Sequence, residues 1–183
     1  MGLFDAFKKK KPEPDYDPTN LRLQDLRRGF VVEYDLKNWQ VSGEYEYDWG
    51  NNFFTREFQL DSGDDRCYLH VEEDDELVLT VSRKIGVRAL GQDIPEYARK
   101  HEHPPERLVY EGVTYFLDEE NYGYYRDTAA AGDNWSELVS WSYYDESEKR
   151  TLTIEQWGDR DFEASVGEVV PPYAFSNLLP GER

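Results

Sequence analysis

The sequence predicts an all-β chain: two similar antiparallel β-meanders packed as a sandwich or barrel, a short helical connector and a flexible N-terminal segment. Three observations lead there. Short segments alternate apolar and polar residues with period two. Turn-forming clusters follow one another at roughly the 8–12-residue spacing of sandwiches and barrels rather than of βαβ units. The order of segments then repeats once along the chain.

The alternation is clearest where Leu69 and Val71 interleave with Tyr68, His70 and Glu72, and where Leu152 and Ile154 interleave with Thr151, Thr153 and Glu155. Strands with one apolar and one polar face suit an antiparallel sheet. In the first copy Phe30–Tyr34 precedes Trp39–Val41, Glu44–Asp48, Arg56–Asp61, Tyr68–Glu72 and Leu77–Val81. In the second, Leu108–Gly112 precedes Tyr115–Leu117, Asn121–Arg126, Ser140–Asp145, Thr151–Glu155 and Asp161–Val166. Asp61-Ser-Gly-Asp-Asp65 reads as a hairpin turn, because Asp and Gly tolerate the backbone angles it needs.

Between the copies, Pro95 to His101 reads as one or two helical turns, with Pro95 at the first helical position. Asn20 is placed to cap a short turn through Leu23 and Leu26. Residues 1–20 are read as a basic, amphipathic segment and Pro-rich spacer, 21–85 as the first repeat and 86–105 as the connector. Residues 106–170 form the second repeat and 171–183 an irregular tail that docks Phe175, Leu178 and Leu179 on the sheet.

The chain has 183 residues and a net charge of −18, from 39 acidic and 21 basic residues. That balance excludes sequence-independent nucleic-acid binding, which needs a cationic face. The one cysteine, Cys67, forbids an internal disulfide and points to a reducing compartment. At the N-terminus Leu3, Phe4 and Phe7 share one helical face, followed by Lys8, Lys9, Lys10 and Lys11. An apolar face with a polybasic end is the pattern of a weak contact with an anionic membrane surface.

No catalytic residue, metal set or cofactor motif is marked. There is no nucleophile elbow and no phosphate-cradling glycine loop. His101-Glu-His103 offers two ligands where a zinc site wants three or four, and His70 has no marked partner. What stands out is the aromatic content: 14 Tyr, 9 Phe and 5 Trp. Tyr45, Tyr47, Trp49, Tyr124, Trp135, Trp141 and Tyr143 are the candidate binding residues, because a strand cannot turn every one of its rings into one core. Rings among carboxylates attract an organic cation through its charge and the ring face together. They also make good protein interfaces.

The opening Leu-x-x-Leu-x-x-Gly-Phe-Val-Val with Trp39-Gln-Val41, the strands Glu57-Phe-Gln-Leu60 and Tyr68–Glu72, and the late run Trp141–Asp145 with Leu152–Trp157 and Val166-Gly167 resemble the bacterial domain-of-unknown-function family 4178 over Leu23 to Pro180. Arg56 departs from it, standing where the family often has an aromatic residue. The resemblance implies no catalytic residues. By gene neighbourhood it implies an accessory of a membrane-associated system, near spermidine-synthase-like and membrane-stress proteins. The resulting expectation is a non-enzymatic protein-interaction module, cytoplasmic and peripheral to the inner membrane face. The alternative is a binding module for a small organic cation such as a polyamine.

Overall fold

The computed structural model describes residues 16–17, 20–91, 93–132 and 134–181. The expected membrane-contact residues Leu3, Phe4, Phe7 and Lys8, Lys9, Lys10 and Lys11 lie outside these. The first meander comprises β1 (Val31–Tyr34), β2 (Lys37–Asp48), β3 (Phe54–Asp61), β4 (Arg66–Glu73) and β5 (Leu77–Ile85). The second comprises β6 (Arg107–Tyr110), β7 (Val113–Asp127), β8 (Ser136–Tyr144), β9 (Arg150–Trp157) and β10 (Asp161–Val169). The connector carries a 3₁₀ turn (Val87–Leu90) and α1 (Ile94–His101), and the chain closes with β11 (Phe175–Leu179).

All pairings are antiparallel, and β2 to β5 continue through β10, β9, β8 and β7. The C-terminal ends of β2 and β7 then pair with each other, Tyr45 opposite Asp127 through Asp48 opposite Tyr124. Eight strands therefore form a closed barrel. The N-terminal halves of β2 and β7 splay away from this seam, and each is backed by its own short hairpin partner, β1 or β6.

Each meander builds its own apolar cluster. Leu60, Leu69, Val71, Leu79 and Val81 meet Trp39, Leu26 and Phe175 in the first. Trp141, Tyr143, Leu152, Ile154 and Ala164 meet Leu90, Ile94 and Leu108 in the second. The clusters are covered by different pieces of chain: the 3₁₀ turn Leu23–Asp25 and β11 over the first, the connector and β6 over the second. α1 lies in the expected connector but starts one residue earlier than expected, at Ile94: Asp93 caps it, accepting from the Glu96 N–H at 3.0 Å, and Pro95 takes the second position.

Two local expectations are corrected. The tail is not irregular: β11 pairs with β1, Tyr34 opposite Phe175 and Val31 opposite Leu179. The reason is the row of backbone groups that β1 would otherwise present at a bare edge; Phe175 also stacks on Tyr34 at 4.8 Å. Asn20 does not cap the first turn. The Arg22 N–H instead donates to Asp25 Oδ2 at 2.9 Å, three residues on.

Candidate ligand cavity

Residues that alternate with the core positions face the other way, into the barrel. His70 and Glu72 on β4 lie between Leu69 and Val71 and the strand end; Thr80, Ser82 and Lys84 do the same on β5, and Thr151, Thr153 and Glu155 on β9. They enclose a cavity of about 520 Å³ to which all eight barrel strands contribute. That volume lies within the range of small-molecule sites, about 300–1,000 Å³, but such sites are usually apolar. This one is not. Among the described residues six carboxylates line it, from Glu57, Glu72, Asp74, Asp118, Glu119 and Glu155, against one ammonium, Lys84. The polar strand faces, expected on the outside, are thus the inside.

At one end the ionisable groups touch. The Tyr47 hydroxyl donates to Glu57 Oε1 at 3.4 Å. Lys84 Nζ lies 3.6 Å from Glu155 Oε2 and is bonded to Glu163. His70 Nδ1 stands 3.9 Å from Glu57 Oε2, and its ring packs edge-on to Tyr47 with centroids 5.7 Å apart. Burial pushes the Glu57 carboxyl up to about 7, and neighbouring Glu155 adds to that. Burial raises Glu155 too. The His70 ring keeps 28% of its surface open, yet burial pushes it down to about 4, so it is neutral at pH 7. Burial works against the Lys84 charge, but Glu155, Glu163 and Glu57 outweigh it and hold the ammonium above the usual lysine range. At the other end Glu72 is raised by burial, then by Glu119 and Asp74.

The candidate rings separate into three groups. Tyr47 and Trp49 stack at 5.5 Å on the cavity wall, with the Trp49 Nε1–H donating to Thr55 Oγ1 at 2.9 Å. Tyr45 stacks on Tyr125 at 5.4 Å across the β2–β7 seam, and Trp135 lies under the Arg126 guanidinium at 4.7 Å. Tyr124 is exposed. Trp141 and Tyr143, by contrast, are packing residues with 2% and 0% exposure. The Trp141 Nε1–H donates to Glu120 at 2.7 Å and the Tyr143 hydroxyl to the Pro105 carbonyl at 3.0 Å. Those bonds satisfy the polar tips that let large rings be buried; Trp141 packs in the core, and Tyr143, though it borders the cavity, leaves no surface open to a partner.

Composition did not reveal Glu57, Glu155 and Lys84. The signal available was position: each is a charge within a strand whose alternate neighbours are core residues. His101 and His103 are not brought to the cavity; they pack near Tyr97. Among the described residues no group of three His, Cys, Asp or Glu is placed to hold a metal ion, and no helix is long and apolar enough to cross a membrane. Burial pushes the Cys67 thiol up to about 11, so it is a packed residue rather than a nucleophile.

The family defined as a domain of unknown function, DUF4178, matches residues 27–172. The chain belongs to the DUF4178 family. The matched span runs from just before β1 to just past β10, so it contains the whole barrel and every cavity residue named above. Over 184 aligned residues the chain is 25% identical to an uncharacterized protein of Aquifex aeolicus (strain VF5), covering 98% of this chain and 99% of that protein. No solved structure matches. Arg56, the departure noted in the sequence, ties the N-terminal turn to the barrel. Its guanidinium donates to the Gln24 carbonyl and Glu44 Oε1, each at 2.6 Å, and to the Leu26 carbonyl at 3.0 Å.

Proposed function

We propose that this DUF4178 protein is a non-enzymatic binding module whose barrel cavity takes a small organic cation, a polyamine being the simplest fit. One observation carries the reading: a cavity of about 520 Å³ with six carboxylates, a single ammonium, and the Tyr47–Trp49 stack on its wall. Asp74, Asp118 and Glu119 lie exposed at the cavity mouth, whereas Glu57 and Glu155 are largely buried, and negative charge on that pair is costly unless a cation or protons offset it. The stacked rings add a face for the ligand's methylene or ammonium groups. Calorimetric titration of the full chain with spermidine at rising salt tests this. Saturable binding with one stoichiometry that survives added salt supports a built site. Heat that dwindles with salt without saturating means charge condensation on an acidic surface, and overturns it.

A second reading, docking of a protein partner, rests on the outer rings of β7, where Tyr122 is 66% and Tyr124 47% exposed. Exposed tyrosines are common anchors of interfaces. A cytoplasmic place at the inner membrane face, through Leu3, Phe4, Phe7 and Lys8 to Lys11, belongs to this second reading. Co-sedimentation with anionic liposomes, full chain against a chain starting at Asn20, tests it. Equal pelleting of the two removes the membrane contact.

A further inference from the structure

Glu57 is the carboxylate at the inner end of the cavity that lacks a committed cation. The groups that face it come from every strand around it: Tyr45 and Tyr47 of β2, Tyr68 and His70 of β4, Lys84 of β5, Tyr125 of β7, Glu155 of β9 and Glu163 of β10. Three carboxylates here, Glu57, Glu155 and Glu163, share the one ammonium of Lys84, which sits against Glu155 and Glu163. The Tyr47 hydroxyl donates to Glu57 at 3.4 Å, a long bond that leaves most of the carboxylate's charge unanswered. The His70 ring is near, but carries no charge to offer at neutral pH. Two things can settle the remaining negative charge: a proton, or a cation from outside. Both need the same oxygens.

We infer, building on the cation-binding reading above, that the cavity exchanges a proton for its ligand: one ammonium of a linear polyamine enters beside Glu57, and the carboxyl proton held there leaves for solvent. The Glu57 O–H bond breaks, its proton passes to water or buffer, and an ammonium–carboxylate pair replaces it; nothing is oxidised or reduced. The opposite end, with Glu72, Asp74, Asp118 and Glu119, receives the second ammonium. The ligand class is therefore a chain with amino groups at both ends. A single-charge cation would leave one end of the cavity unanswered. A quaternary ammonium has no N–H to give the carboxylates.

The linkage has a definite pH signature. Below the Glu57 value of about 7 the ligand must first displace the proton; above it the site is already ionised. Calorimetry of spermidine binding in two buffers of different ionisation enthalpy reads the proton count. About one proton per ligand is released near about pH 6, falling toward zero near about pH 8.5, and the affinity rises about tenfold between about pH 6 and 8. A second readout is the Glu57 carboxyl ¹³C resonance, assigned by its loss in Glu57→Gln, which moves from the protonated to the ionised position when spermidine is added near about pH 6. Saturable binding without proton release, or a Glu57 resonance that stays protonated in the complex, overturns the exchange and leaves the cavity reading intact. No saturable spermidine binding at either pH overturns the cavity reading itself, and the exchange with it.

Discussion

The two meanders follow the same strand order, and each long strand breaks register at a matching place, between Val41 and Gly43 in β2 and between Leu117 and Glu119 in β7. They differ on both faces. The first core is covered by segments from the two ends of the described chain, the second by the connector and its helix. Toward the cavity the first meander presents Tyr47, Glu57, His70, Glu72 and Lys84. The second presents chiefly hydroxyls, Ser140, Ser142, Thr151, Thr153 and Ser165, joined by Glu155 and the acidic Asp118 and Glu119. The contrast separates two jobs. The apolar faces must match in volume to pack densely, so both halves solve that problem the same way. The cavity faces pack against nothing, so the ion pairs can be shared: each meander contributes three carboxylates, and Lys84 of the first is held by Glu155 and Glu163 of the second.

The largest expected effects test whether the two cores are independent. Trp39 and Trp141 are each nearly inaccessible, and each indole N–H is satisfied, by the Tyr34 carbonyl at 2.9 Å and by Glu120 at 2.7 Å. Replacing either with Ala should cost about 3–5 kcal/mol in urea unfolding. The double variant should equal the sum to within about 0.5 kcal/mol if the clusters share no partners. A clear shortfall would mean that the barrel couples them.

Next come the two seams that join the halves. A Cβ at Gly167 would sit 2.4 Å from the Val81 carbonyl oxygen, across the β5–β10 seam. A Cβ at Gly123 would meet the Trp49 ring at 2.6 Å, beside the β2–β7 seam. Gly167→Ala and Gly123→Ala should each lose about 1–3 kcal/mol. Both also meet a backbone carbonyl that cannot step aside, and the first should cost more because its carbonyl is nearer, 2.4 Å against 2.8 Å for Asp48 at Gly123.

A pH series then reads the cavity of the first meander. Glu57 is raised in the folded state, from 4.5 to about 7. Its stabilising contribution is complete below about pH 4.5 and is lost as the pH rises through about 7. His70 is lowered, from 6.5 to about 4. Its contribution is complete above about pH 6.5 and is lost as the pH falls through about 4. In the wild type the two slopes oppose each other between those limits. In Glu57→Gln the His70 slope remains, and unfolding stability should rise with pH from about 4 to 6.5. In His70→Asn the Glu57 slope remains, and stability should fall from about pH 4.5 to 7.

The smallest effect lies in the matching hairpin turns. Asp35 and Leu36 join β1 to β2 with φ of 48° and 60°; Glu111 and Gly112 join β6 to β7 with φ of 48° and 79°. Two positive φ values are the mark of a tight hairpin turn that favours glycine at its second place. Leu36 is 96% exposed and gains nothing from its side chain. Leu36→Gly should raise stability by up to about 1 kcal/mol in thermal unfolding, while Gly112→Leu should lower it by a similar amount.

Period two put Leu69 with Val71 and Leu152 with Ile154 on their core faces, and the repeated order of segments placed the other barrel strands. Pro95 marked the helix of the connector, but the Asp93 cap that starts it one residue earlier was not read from the sequence. Two strands were each read as two pieces, however: Trp39–Val41 with Glu44–Asp48 is β2 and Tyr115–Leu117 with Asn121–Arg126 is β7, since the register breaks before Gly43 and Glu119 mimic turns in the sequence. β11 was hidden because its pairing with β1 reaches across almost the whole chain. Ring counts around Trp141 and Tyr143 showed that aromatic residues were plentiful, but not which rings had Glu120 and the Pro105 carbonyl waiting for their polar tips.

Local chemistry, carried by side-chain size, branching and turn residues, settled the strands, the connecting helix and the two-part order of the chain. Closure of the barrel settled the rest. Alternation assigns a residue to one face or the other, but both faces of a strand look alike until distant strands meet. The short β2–β7 seam brought Glu57, His70, Lys84 and Glu155 together on one cavity wall, with Glu57 and Glu155 largely withdrawn from water. That change of surroundings, which no neighbour in sequence encodes, turned a row of polar positions into interacting charges.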